Sequence, residues 1–207
     1  MGRDLERLMR TARTLSRNAR SFKPRVGLPP LILVTDPDRT PDPVALAERL
    51  PRGSGVIFRG FGRKGSGKTA RRLSAVARRR GLALLIGADA VRVVGAGVHL
   101  PERMAHRAGA LKRARPGILV TVAAHSFAAL VRARRAGADA ALLSAVFKSG
   151  SPSAGRPLGP VRFAALARRA GLPVYALGGV RMENAQRLKG SGAAGLAMVE
   201  GLANALK

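Results

Sequence analysis

The sequence predicts an α/β fold, a (β/α)8 TIM barrel with an extra N-terminal amphipathic helix. Three observations predict it. Eight short apolar runs recur along the chain, helical stretches or their remnants lie between them, and no segment reads as a linker or an internal repeat. Strand alternating with helix means βαβ units on a parallel sheet, and eight such units close a barrel. At 207 residues the chain is short for that fold but sufficient for one domain. An open doubly wound sheet is the structural alternative.

Residues 1–25 form the first element. Leu5, Leu8, Met9, Ala12 and Leu15 recur at three- and four-residue steps, and Arg3, Arg7, Arg10, Arg13, Arg17 and Arg20 cover the remaining surface. This is an amphipathic helix with a basic face. It is expected to close one end of the barrel domain, residues 26–207. It lacks the unbroken apolar core of a secretory signal, and Asp4 and Glu6 do not suit a transit peptide.

The strand runs follow at 31–35, 55–59, 82–86, 97–100, 118–122, 139–144, 173–177 and 195–199. Helical patterning falls at 43–50, 69–80, 127–136, 161–170 and 183–189. Several of these helices end at Gly81, Gly137, Gly171 or Gly190, where a C-terminal cap requires positive φ. In such a barrel, chemistry gathers where strands run into loops. The positions to watch are Asp36, 59–68, 87–89, His99, 123–125, 144–159, Gly178–Gly179 and Val199–Glu200.

Composition narrows the function. Thirty-eight basic residues against 11 acidic ones give a net charge of +27. Such a field attracts anions. With one Tyr, six Phe and no Trp, stacking platforms for single strands are missing, so nucleic acid is not the expected partner. The expected partner is a phosphorylated small molecule, and a homo-oligomer is open. Cysteine is absent, which removes disulfides and thiolate chemistry. Three His and 11 acids make an all-protein metal cage unexpected. No apolar run approaches the ~18 residues of a membrane span, and the expected location is cytoplasmic.

One segment carries a motif. Gly62-Arg-Lys-Gly-Ser-Gly-Lys-Thr69 matches G-x-x-x-x-G-K-[ST] between a strand and a helix, a phosphate-cradling pattern. In a P-loop nucleotide-binding protein, Lys68 would meet the outer phosphates and Thr69 the magnesium. Against this, no Asp closes a later apolar strand: Asp89 lies beyond a Gly-Ala step and Asp139 begins its run.

From Leu31 onward the chain resembles the thiamine phosphate synthase family, which includes the thiazole tautomerases. The resemblance rests on Leu31-Ile-Leu-Val-Thr-Asp36, Gly97-Val-His-Leu100 and Val120-Thr-Val-Ala-Ala-His-Ser126, the last followed by Ala136-Gly-Ala-Asp139. It continues through Val146-Phe147, Pro157-Leu-Gly159, Pro173-Val-Tyr-Ala-Leu-Gly-Gly-Val180, Asn184 and Ala193-Ala-Gly-Leu-Ala-Met-Val199. It implies a barrel that joins a thiazole phosphate to a pyrimidine diphosphate with magnesium. On the thiazole-phosphate side it points to Ser149, Ser151, Gly178, Gly179 and Val199.

On the pyrimidine-diphosphate side the chain departs from the family. The expected Asn-Asp falls on Gly87-Ala88, with Asp89 one place late; no Asp follows His99-Leu100, and Glu102 is only nearby. Arg59 and Lys64 stand in for a different basic segment, and the expected Ser falls on Ala123. Glu200 replaces a Ser beside the phosphate. A leaving diphosphate needs its charge neutralised, normally by carboxylate-held magnesium. The resemblance therefore implies no certain cofactor, with magnesium entering only if synthase activity persists through Asp89 and Glu102. Tautomerisation asks for one proton-transfer group over a bound phosphate, and His125 sits where the tautomerases place theirs. The expected function is thiazole-phosphate binding with tautomerase-like proton transfer. The alternatives are an active synthase, a non-catalytic phosphate-binding regulator and the P-loop protein.

Overall fold

A computed structural model describes residues 3–18, 27–88, 93–151 and 155–206. Eight parallel strands close on themselves: β1 (Leu31–Val34), β2 (Gly55–Phe58), β3 (Ala83–Gly87), β4 (Gly97–Leu100), β5 (Val120–Ala124), β6 (Ala140–Leu143), β7 (Val174–Ala176) and β8 (Gly195–Met198). β8 pairs with β1 through Ile32 and Ala197, so the sheet has no edge and the open-sheet alternative falls.

Alternation along the strands splits the apolar residues into two cores. Ile32, Val34, Ile57, Leu85, Leu142 and Tyr175 fill the cylinder, and the opposite faces pack under the helices. Tyr175 also plugs the bottom of the barrel, where its hydroxyl donates to the Pro29 carbonyl at 2.7 Å and burial pushes its ionisation upward. Gly195 is obligatory beside it, because a Cβ there would stand 2.4 Å from the Pro30 oxygen.

The outer layer holds α2 (Pro43–Arg49), α3 (Ser66–Arg80), α4 (Ala108–Ala114), α5 (Phe127–Arg135), α6 (Gly159–Arg169), α7 (Met182–Ala185) and α8 (Glu200–Ala205). Asp42 caps α2 by accepting from the Ala45 amide, and Ser126 caps α5 by accepting from Ala129. Gly81, Gly137, Gly171 and Gly190 all have positive φ. Among the described residues, no helix joins β3 to β4. The N-terminal helix, α1 (Arg3–Asn18), does not close an end of the barrel. Its apolar stripe joins the outer core, packed against β8, β1 and α7.

Candidate functional site at the barrel mouth

The carboxyl ends of β7 and β8 form a small cavity of about 40 Å³, lined by Ser149, Gly178, Gly179 and Val199 together with Arg39 and Arg181. No protein acceptor among the described residues takes the backbone N–H of Gly178, Gly179 or Val180. The carbonyls of this turn are occupied: Gly178 accepts from the Phe147 amide and Gly179 from Asn184 Nδ2 at 2.8 Å. Asn184 Oδ1 also accepts from the Arg181 amide, so one side chain holds both ends of the turn. The turn therefore presents donors to the mouth and keeps its acceptors inside.

Glycine is required here for packing as well as for access. A Cβ on Gly179, at φ +65°, would lie 2.3 Å from the Lys148 oxygen, and one on Gly178 would lie 2.7 Å from Ala145 Cα. The 145–148 segment lies directly against both glycines. Glu200 does not plug the cavity. Its side chain is 45% exposed and leans toward Arg39, with Nε to Oε1 at 3.9 Å.

Across the mouth, the β1 and β2 rim is filled by ion pairs. Asp36 receives Arg39 at 2.8 Å and Arg59 at 3.4 Å on the same oxygen. The Arg39 hydrogen bond holds the Asp36 carboxyl below its ordinary range, against the opposing effect of burial. Arg59 also donates through Nε to the Thr35 carbonyl at 2.8 Å. Arg59, Arg63, Lys64 and Asp36 line a second cavity of about 180 Å³. Phe61 stands above it at φ +46° and 54% exposed, with the Arg59 guanidinium 5.1 Å from its ring centre.

Two histidines occupy the β4–β5 sector. His125 follows β5 and is half exposed; its Nδ1 lies 2.9 Å from Glu102 Oε2, and its backbone N–H donates to the same oxygen. Arg132 holds the other Glu102 oxygen at 2.6 Å. His99 lies within β4, facing inward and 7% exposed, with Nδ1 2.9 Å from Thr121 Oγ1. Burial, and secondarily the charge of Arg59, pushes its pKa down to about 3. The ring is neutral at any ordinary pH.

The structure thus gathers Ser149, Gly178, Gly179 and Val199 around one cavity and Arg59 with Lys64 around another. Ser151 is tied to this rim through its amide, which donates to Ser149 Oγ, but does not line the cavity. Arg39 and Arg181 escape sequence reasoning, which names His99 as a strand-end position but not the face that it takes. The described residues do not fit a magnesium site: Glu102 is committed to His125 and Arg132, and Asp36 to two arginines. No three His, Cys, Asp or Glu side chains converge among them. Asp89, the other weak metal candidate, lies outside the described residues.

The Gly62–Thr69 loop turns tightly into α3, which begins at Ser66. The Thr69 hydroxyl donates back to the Gly65 carbonyl at 3.4 Å.

Fold and site together define a (β/α)8 barrel with open main-chain donors at the β7–β8 rim, and comparison with known proteins narrows the class. The family model for thiamine monophosphate synthase matches residues 31–202, and the chain belongs to that family. It is similar to the thiamine-phosphate synthase of Chlorobium luteolum, at 31% identity over 86% of each chain. It is also similar to a putative thiamine-phosphate synthase 2 of Aquifex aeolicus, at 35% identity over 52% of this chain and 58% of that protein. Among solved structures, the thiamine phosphate pyrophosphorylase of Pyrococcus furiosus shares the fold, with a TM-score of 0.69 at 20% identity, covering 85% of this chain and 91% of that one. No helix of the described residues is long and apolar enough to cross a membrane.

Proposed function

We propose that this chain binds a thiazole phosphate at the β7–β8 rim and moves a proton on its ring through His125, without completing the synthase reaction. The observation that carries the binding half is the run of uncommitted amides at Gly178, Gly179 and Val180, with Arg181 on the same wall. Main-chain donors at this corner of a barrel are a common phosphate seat. Ser149 adds a hydroxyl to the same wall.

The Glu102–His125 pair supports the proton-transfer half. If Nδ1–H donates to the carboxylate, the Nε2 lone pair is free to take a proton from one ring position. The same nitrogen returns that proton at another position, so the isomer leaves with unchanged composition. Glu102 fixes the imidazole and Arg132 steadies Glu102. The synthase half-site has no comparable support, because Asp36 and Glu102, at the described mouth, are already paired with Arg or His.

Purified protein given the thiazole carboxylate phosphate should isomerise it, and His125→Ala should lower that rate by about 100-fold or more while ligand affinity stays within about twofold. Equal rates in parent and variant would remove His125 from the mechanism. With both synthase substrates and magnesium, no thiamine phosphate should form; steady turnover would overturn the assignment in favour of an active synthase.

A further inference from the structure

Resting on this reading of the ligand, we infer that His99 presents its Nε2–H to the barrel mouth as a neutral hydrogen-bond donor for the ring end of the bound molecule. The phosphate end would sit at β7 and β8, three and four strands round the barrel from β4. His99 would hold the other end from β4.

The tautomer follows from satisfying every donor. Nδ1 of His99 faces the Thr121 hydroxyl at 2.9 Å, and no other acceptor for that hydroxyl proton exists among the described residues. If Nδ1 carried the proton, the Thr121 hydroxyl would be left without an acceptor inside the barrel, which is costly. The arrangement that satisfies both groups has Thr121 donating to a bare Nδ1. The ring proton of the neutral imidazole then sits on Nε2.

Nε2 meets no protein acceptor among the described residues. The residue keeps 7% of its surface exposed, so it is not wholly sealed away. Its neighbours explain how. Strand pairing sets His99 beside Gly87 and Thr121, and the next inward position above Thr121 is Ala123. Gly87 and Ala123 set no bulky side chain beside the imidazole in this register, while Leu85, Leu119 and Ile57 belong to the packed barrel interior. The charge of Arg59 favours an anionic or lone-pair acceptor at that spot, such as a ring carboxylate or ring nitrogen. Thr121 is then a positioning residue that acts through His99.

Nitrogen NMR of the unliganded protein at pH 7 should find His99 protonated on Nε2 alone, and Thr121→Val should abolish that preference. A ring protonated on Nδ1, or on both nitrogens, would overturn the inference without any ligand. In calorimetry with the thiazole carboxylate phosphate, His99→Phe should bind about 10- to 100-fold more weakly, with affinity for inorganic phosphate within about twofold of the parent. His99→Gln, which restores an N–H donor, should recover most of the loss. Parental affinity in His99→Phe would defeat the inference alone, whereas a parent chain that does not bind this ligand would defeat the underlying reading as well.

Discussion

The two sides of the barrel mouth use opposite means to face an anion. The β1–β2 rim is dense in charge, yet its cations are spent on carboxylates of the same chain: Arg39 and Arg59 on Asp36, Arg63 on Asp38. The β7–β8 rim offers mostly neutral backbone N–H groups, and no protein acceptor among the described residues takes those of Gly178, Gly179 and Val180. A net charge of +27 therefore says little about where an anion would sit. Preorganised main-chain donors cost nothing to orient on binding, while a paired arginine must first leave its partner.

Substitutions can sharpen this contrast. The largest effect is expected at Gly179→Ala, where the added methyl meets the Lys148 oxygen in a left-handed backbone. Denaturant unfolding should show a loss of about 2–4 kcal/mol, with phosphate affinity lost at the same time. Asn184→Ala should follow at about 1–2 kcal/mol, since it frees the Gly179 carbonyl and the Arg181 amide together.

The charged rim should respond more weakly. Asp36→Asn is expected to cost about 1–2 kcal/mol near neutral pH. Its pH signature has a definite sign. The folded Asp36 carboxyl titrates below its unfolded value of about 3.9, so its contribution is complete above that value and fades as pH falls through the folded pKa. In Asp36→Asn that acid-side loss should disappear from melts run at descending pH. The smallest effect belongs to Arg63→Ala, whose ion pair is more than half exposed on both partners. It should move stability by no more than about 0.5 kcal/mol, and a larger change would break the comparison.

Much of the architecture was legible in the sequence, because strand and helix periods alternate cleanly. The β4 run at 97–100 coincides with the observed strand, while β5 begins at Val120 rather than 118. The run from Ile118 to Ala124 is apolar but for Thr121, so periodicity could not mark its pairing start. Asp139 sets it instead, by accepting the Val120 amide at 2.8 Å. The short helices α4 and α8 escaped as well.

Within the site, Gly178, Gly179 and Val199 were readable because they follow strand ends in a resembling family. Arg39 and Arg181 were not, since their convergence depends on barrel closure bringing the β1 and β7 loops together. The inward aim of His99 was not legible either. A lone histidine in an apolar strand gives no sign of which face it takes until register fixes it.

The pairing of β8 with β1 bears on how the chain is made. During synthesis α1 and β1 leave the ribosome well before α7 and β8, the partners that cover them. Until then the oily stripe of Leu5, Leu8, Met9, Ala12 and Leu15 has only part of its native cover, and the first strand waits with one flank unsatisfied. Removing the final strand should thus leave the nascent molecule sticky at its beginning, far from the cut.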